Sequence, residues 1–106
     1  MAKTIKNLFG PAALTTSAAT KYTASANGPT DIRHIHFSNT SAGSVTVTLS
    51  IGADAAGTRI LDAYPMAAST VLDLYNVVVP ASTVVQIYAS STAVTCVMDG
   101  YEYTAG

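Results

Sequence analysis

At 106 residues, with 49% hydrophobic and only 10% charged side chains, the chain has the size and apolar content of one folded domain rather than of a disordered segment. Its formal net charge is −1, and five cationic residues, Lys3, Lys6, Lys21, Arg33 and Arg59, are too few for the phosphate contacts of a nucleic-acid binder. No apolar run approaches a membrane span, the start at Met1 has no apolar signal core, and the single cysteine, Cys96, cannot form an internal disulfide.

Ser and Thr make up about a quarter of the residues and supply the polar surface that charged groups supply elsewhere. So little charge gives weak repulsion between copies of the molecule, which favours close association.

Taken in chain order, residues 1–19 read as an extended N-terminal arm. They are rich in Ala and Thr, carry Gly10-Pro11, and place Ile5, Leu8, Phe9 and Leu14 without a strand pattern. Fully extended, such a segment reaches about 60 Å, enough to lie on a neighbouring molecule. A disordered terminus, or an edge strand folded back on its own domain, is the alternative. From residue 20 to residue 106 the chain breaks into short strand-like runs separated by Gly, Pro and Asn at intervals of about ten residues, the rhythm of a sandwich or barrel.

The first run is 20–25, closed by Asn27-Gly28-Pro29, and the second is 31–38, followed by a turn at 39–43. Residues 44–51 alternate strictly, with Val45, Val47, Leu49 and Ile51 on one face and four hydroxyl residues on the other, which predicts a half-buried strand. After a Gly52–Gly57 loop come runs at 58–63, 69–74, 77–79 and 83–89, with Val71 facing away from Leu72 and Leu74. Residues 93–98 and 101–103 complete the set as one strand bent at Gly100. The expected fold is an all-β antiparallel sandwich of about eight strands, jelly-roll-like, with the arm in front of it.

Chemical signatures are sparse. His34 and His36, two apart on a strand, point the same way and make half of a metal site. The missing ligands would have to come from Cys96, Asp31, Asp99 or Glu102, or from a symmetry copy. The expectation is therefore no metal, with Ile35 and Phe37 inward and both histidines on the outer face, at a subunit contact. Asn39-Thr40-Ser41 matches the glycosylation pattern, a short match that chance supplies.

Cys96, within Val-Thr-Cys-Val-Met, reads as an inert core thiol. The acids are scattered, no nucleophile elbow or phosphate-binding glycine loop is present, and Arg59 pairs with Asp62 across a turn. No catalytic residue and no cofactor are expected, and the chain is not read as an enzyme. Tyr101 and Tyr103 alternate onto one face, which leaves a carbohydrate-binding module as a reading from another class.

The run Ile-Arg-His-Ile-His-Phe-Ser-Asn-Thr, then Val-Thr-Val-Thr-Leu-Ser-Ile-Gly as its hairpin partner, then Arg-Ile-Leu-Asp-Ala and Ser-Thr-Val-Leu-Asp-Leu, with Val94 to Tyr103 closing, resembles small virion proteins of tailed bacteriophages. The resemblance covers about two-thirds of the chain and rests on sandwich patterning. It implies a capsid decoration or cement protein, with a neck, collar or tail component as the alternative. It further implies a homo-oligomer, a trimer above all, located on the virion after assembly in the host cytoplasm and bound to the major capsid protein or other virion proteins. Ile5, Leu8, Phe9, Leu14, His34 and His36 are the candidate contacts, with neither nucleic acid nor membrane as partner.

Overall fold

The computed structural model describes the backbone of residues 2–104 and the side chains of residues 3–103. The ends of the two expected segments, residues 1 and 105–106, lie outside the described residues. Eight strands follow in chain order: β1 (Ala2–Ala13), β2 (Ala19–Thr23), β3 (Thr30–Asn39), β4 (Val45–Ile51), β5 (Arg59–Met66), β6 (Val71–Val79), β7 (Val84–Ala89) and β8 (Val94–Thr104). There is no helix among the described residues, hence none to cross a membrane.

The strands form two four-stranded antiparallel sheets, ordered β1-β8-β3-β6 and β2-β7-β4-β5. Only β4 and β5 are both consecutive and hydrogen-bonded, and every other connection crosses from one sheet to the other. This is the strand order of a jelly roll, two interleaved Greek keys. The 44–51 strand therefore pairs with β5 and β7, and the hairpin expected between it and the 31–38 strand does not form, because β3 and β4 belong to opposite sheets.

The core lies between the sheets. Ile32, Ile35 and Phe37 of β3 face Val47 and Leu49 of β4 and Val85 and Ile87 of β7 across it, joined by Cys96 and Met98 of β8. These fully covered β-branched and aromatic side chains account for the strand choice at each position, since they fill a pleated surface buried on its inner face.

In the opening segment the structure takes the edge-strand alternative rather than the arm. Residues 2–13 are not an arm reaching away but the edge strand β1, paired with β8 from Ala2↔Thr104 to Ala13↔Thr95. Two register shifts, between Asn7 and Phe9 and between Phe9 and Ala12, break the two-residue alternation that would have disclosed it. Gly10 sits in this irregular stretch with φ of 72°, and a Cβ there would collide with the carbonyl oxygen of Cys96, so only glycine fits. The longest dimension of the molecule is 48 Å, short of the extended arm.

One expected break is a continuous strand, and the strand expected to bend at Gly100 is continuous as read. The runs at 69–74 and 77–79 are one strand, β6, because Asn76 takes a left-handed φ of 58° and steps the chain without ending it. Residues 93–98 and 101–103 are one strand, β8, with Gly100 opposite a register shift at Ile32–His34 of β3. The hydroxyl face of β4 is also covered: Thr48 and Ser50 are buried. Thr48 Oγ1 accepts from the Ala63 N–H at 3.1 Å, where the register of β5 shifts beside it, and Ser50 donates to Asp54 at 3.0 Å, since the 52–58 loop folds back there.

Candidate functional site

The most structured group of polar side chains lies on the outer face of the β1-β8-β3-β6 sheet. Its placement begins with β3. Thr30 and Ile32 point inward, Arg33 is an extra residue, and Ile35, Phe37 and Asn39 then resume the inward positions, which turns His34, His36 and Ser38 outward. On β6 the step at Asn76 keeps the partner strand in phase, so Tyr75 stands opposite His34, Asp73 opposite His36 and Val71 opposite Ser38.

His34 Nε2 lies 2.7 Å and His36 Nδ1 2.6 Å from the same atom, Asp73 Oδ1. The three side chains are each about one-third exposed. The His34 ring stacks on Tyr75, with centroids 4.9 Å apart and planes within 8°. The His36 imidazole, and after it the His34 imidazole, hold the Asp73 carboxyl below the usual carboxylate range by donating hydrogen bonds to it. A carboxylate receiving two nitrogens at one oxygen, on a sheet face open to solvent, is a hydrogen-bonded ligand cluster.

The outward positions of both histidines and the inward positions of Ile35 and Phe37 are as the alternation predicted. The third member was not foreseen. Of the four residues considered as further ligands, Cys96 is sealed in the core, where burial pushes its thiol up to about 12, and Asp99 is held by Arg33 at 2.9 Å. Glu102 turns inward, accepting from Tyr22 at 2.5 Å and from Lys6 at 3.3 Å, and Asp31 stands a row away between Tyr101 and Val78. The only signal for Asp73 was its being an acid in an alternating run, with nothing to name the strand it would face.

Around the cluster the same face carries four exposed apolar side chains, Ile5 (61%), Val71 (58%), Tyr75 (63%) and Val78 (62%). Ile5, Tyr101, Asp31 and Val78 form one row across all four strands, and Tyr103 follows Tyr101 on the same side of β8. Lys3 Nζ lies 4.7 Å above the Tyr101 ring. Of the expected contact residues in the opening segment, only Ile5 is free for a partner: Leu8 and Leu14 are buried in the chain's own core, and Phe9 packs against it.

The opposite outer face is built differently. Arg59 donates to both oxygens of Asp54, at 2.9 and 3.2 Å, and to Asp62 at 3.2 Å, so the expected Arg59–Asp62 pair exists beside a stronger two-point one. This group pins the 52–58 loop and gives no convergent open site. No cleft that would enclose a small molecule opens among the described residues. No family model, curated protein or solved structure matches this chain.

Proposed function

We propose that this protein is a virion structural protein of a tailed bacteriophage, a decoration or cement protein that binds the assembled head and stabilises it, and that it is not an enzyme. The observation that carries this reading is the outer face of the β1-β8-β3-β6 sheet. Four of the six exposed large hydrophobic residues found among the described residues, Ile5, Val71, Tyr75 and Val78, gather there. Such a face loses free energy to water and regains it when covered by another protein. The resemblance of the 31–73 segment and of Val94 to Tyr103 to small phage virion proteins supplies the kind of partner, the major capsid protein or a second copy of the chain in a trimer.

The mechanism is mass action. A protein that binds the assembled lattice and not its free subunits shifts the equilibrium toward the lattice, and many modest contacts add through multivalency. The original expectation that the opening segment reaches across neighbours is replaced by contact through the sheet face itself, since β1 is needed to complete that sheet.

Electron microscopy of particles from the source, with light scattering of the purified chain, tests the reading. Many copies over the head surface are expected, and Tyr75→Ser with Val78→Lys should abolish binding while leaving the melting temperature unchanged. A ring confined to the neck or tail would move the assignment to a neck, collar or tail component. A carbohydrate-binding module is favoured by one observation, the placement of Tyr75, Tyr101 and Tyr103 on a single face. Saturable binding on a glycan array by the isolated chain, with none to particles, would establish that reading instead.

A further inference from the structure

Two imidazole nitrogens and a carboxylate oxygen, all within 4.8 Å of one another, converge on the open face of a hydrogen-bonded sheet. We propose that His34, His36 and Asp73 form a binding site for a first-row divalent transition ion, Zn2+ in the first place, with water or a group from a partner completing the coordination. The inference is independent of the virion reading.

The donor set selects the class of ion. Two imidazoles and one carboxylate suit zinc, nickel, cobalt or copper, whereas calcium and magnesium take six or more oxygens. Three protein ligands with an open side leave room for the fourth position of a tetrahedral ion.

The geometry is close to what an ion needs. With metal–ligand distances of about 2.0–2.2 Å, neighbouring ligand atoms in a tetrahedron stand about 3.4 Å apart. The nitrogens now lie 2.6 and 2.7 Å from Asp73 Oδ1, so each nitrogen–oxygen pair must open by less than about 1 Å, within the range of a small side-chain rotation, while the two nitrogens already lie within 4.8 Å of each other.

The site is also held in advance. His34 and His36 share one face of β3 through their two-residue spacing, and Asp73 is the residue directly opposite His36 on β6. The His34 ring is fixed in plane by its stack on Tyr75. Asp99, opposite His34 on β8, is paired with Arg33, so the protein ligands are these three side chains. A set ordered before binding loses less side-chain entropy on taking the ion.

The hydrogen-bonded and ion-bound states differ in where the protons sit. In the first, His34 donates from Nε2 and His36 from Nδ1, both to Asp73. In the second, those nitrogens offer lone pairs to the ion, and the protons move to Nδ1 of His34 and Nε2 of His36. Between neutral imidazoles this is an exchange of tautomers with no net proton released, and no oxidant or reductant is involved.

The experiment uses the untagged 106-residue chain, stripped with a chelator and titrated with zinc chloride by calorimetry. One saturable site per chain is expected, weakened tenfold or more by His36→Gln and by Asp73→Asn, with magnesium chloride giving no binding. Long-range proton–nitrogen spectra of the wild-type imidazoles supply a readout that requires no variant: zinc should move His34 Nε2 and His36 Nδ1 to metal-bound shifts and change the tautomer of both rings. Absence of saturable zinc binding, unchanged imidazole nitrogens, or equal affinity in folded His36→Gln would overturn the proposal.

Discussion

Asn39 offers the sharpest test of how this sandwich is held together. Its side chain is buried at the end of β3, where Nδ2 donates to the carbonyls of Gly43 and Ala67 at 3.0 Å and of Met66 at 3.3 Å. Oδ1 accepts from Ser41, from the backbone N–H at 3.0 Å and from the hydroxyl at 2.8 Å. One amide thus ties the β3–β4 loop to the β5–β6 loop, across the two sheets. Asn39→Ala deletes both N–H donors and leaves the buried Met66 carbonyl without this partner, while those of Gly43 and Ala67 lie nearer the surface. At about 1 kcal/mol net per lost bond and about 1–3 kcal/mol for a stranded buried group, the loss should be about 3 kcal/mol. For a domain of this size that lowers the melting temperature by roughly 12–24 °C. Asn39→Asp keeps the shape and the acceptor for Ser41 but turns a carboxylate toward three carbonyl oxygens, so its loss should be at least as large. Ser41→Ala, which removes only the more exposed half of the network, should cost less than about 1 kcal/mol. Urea denaturation followed by far-ultraviolet circular dichroism measures all three. If Asn39→Ala and Ser41→Ala prove equally mild, the argument that Asn39 clamps the two loops is wrong. The same burial removes Asn39 as a glycan acceptor, despite its sequence pattern.

Three further outcomes are expected. Gly100→Ala should destabilise the fold by roughly 3 kcal/mol, because a Cβ would stand 2.8 Å from the Arg33 nitrogen and 2.9 Å from Ile32 Cα, both of them backbone; Gly43→Ala, into open space, should be near neutral, and equal urea midpoints for the two would refute the packing argument. Deleting residues 2–14 should abolish cooperative unfolding, because β8 loses its edge partner and Leu8 and Leu14 leave the core; a folded product with the wild-type midpoint would restore the segment as a separate arm. The Tyr22 hydrogen bond holds the Glu102 carboxyl below its ordinary 4.5, and the Arg59 hydrogen bond holds Asp54 below 3.8. Both carboxylates therefore add stability above those ordinary values that is lost as the pH falls through the folded ones, and a urea midpoint that declines in acid, less steeply in Glu102→Gln, checks the sign. At the alkaline end, burial pushes Tyr22 and Cys96 up to about 12, so the stability that depends on their neutral forms should decay as the pH rises from their ordinary values of 10.0 and 9.0 toward that point.

The candidate site was half legible. The i, i+2 spacing of His34 and His36 settles that both leave β3 on one side, because side chains alternate along any strand. Which side, and what stands opposite, depends on pairing. Asp73 reaches the histidines only because β3 and β6, separated by two strands in sequence, are neighbours in the sheet. The four earlier candidates were acids or thiols chosen for their chemistry, and chemistry alone does not encode register.

By itself, the sequence determined the class of the fold and most of its inner face. Alternation placed Val45, Val47, Leu49, Ile35 and Phe37 in the core, and the Gly, Pro and Asn positions marked most of the turns, since both signals act within a few residues. The tertiary structure decided everything that joins distant segments. It made the 2–13 segment a strand, because β8 offers an unpaired edge and the irregularities around Gly10 let the chain follow it. It buried Thr48 beside Ala63 of β5 and Ser50 beside Asp54 of the 52–58 loop, on a face that alternation marks as polar. It also brought His34, His36 and Asp73 together, through a jelly-roll order in which five of the six hydrogen-bonded strand pairs are non-consecutive. Such pairings are won by how well whole sheets bury each other, a sum over the entire chain that no local pattern carries.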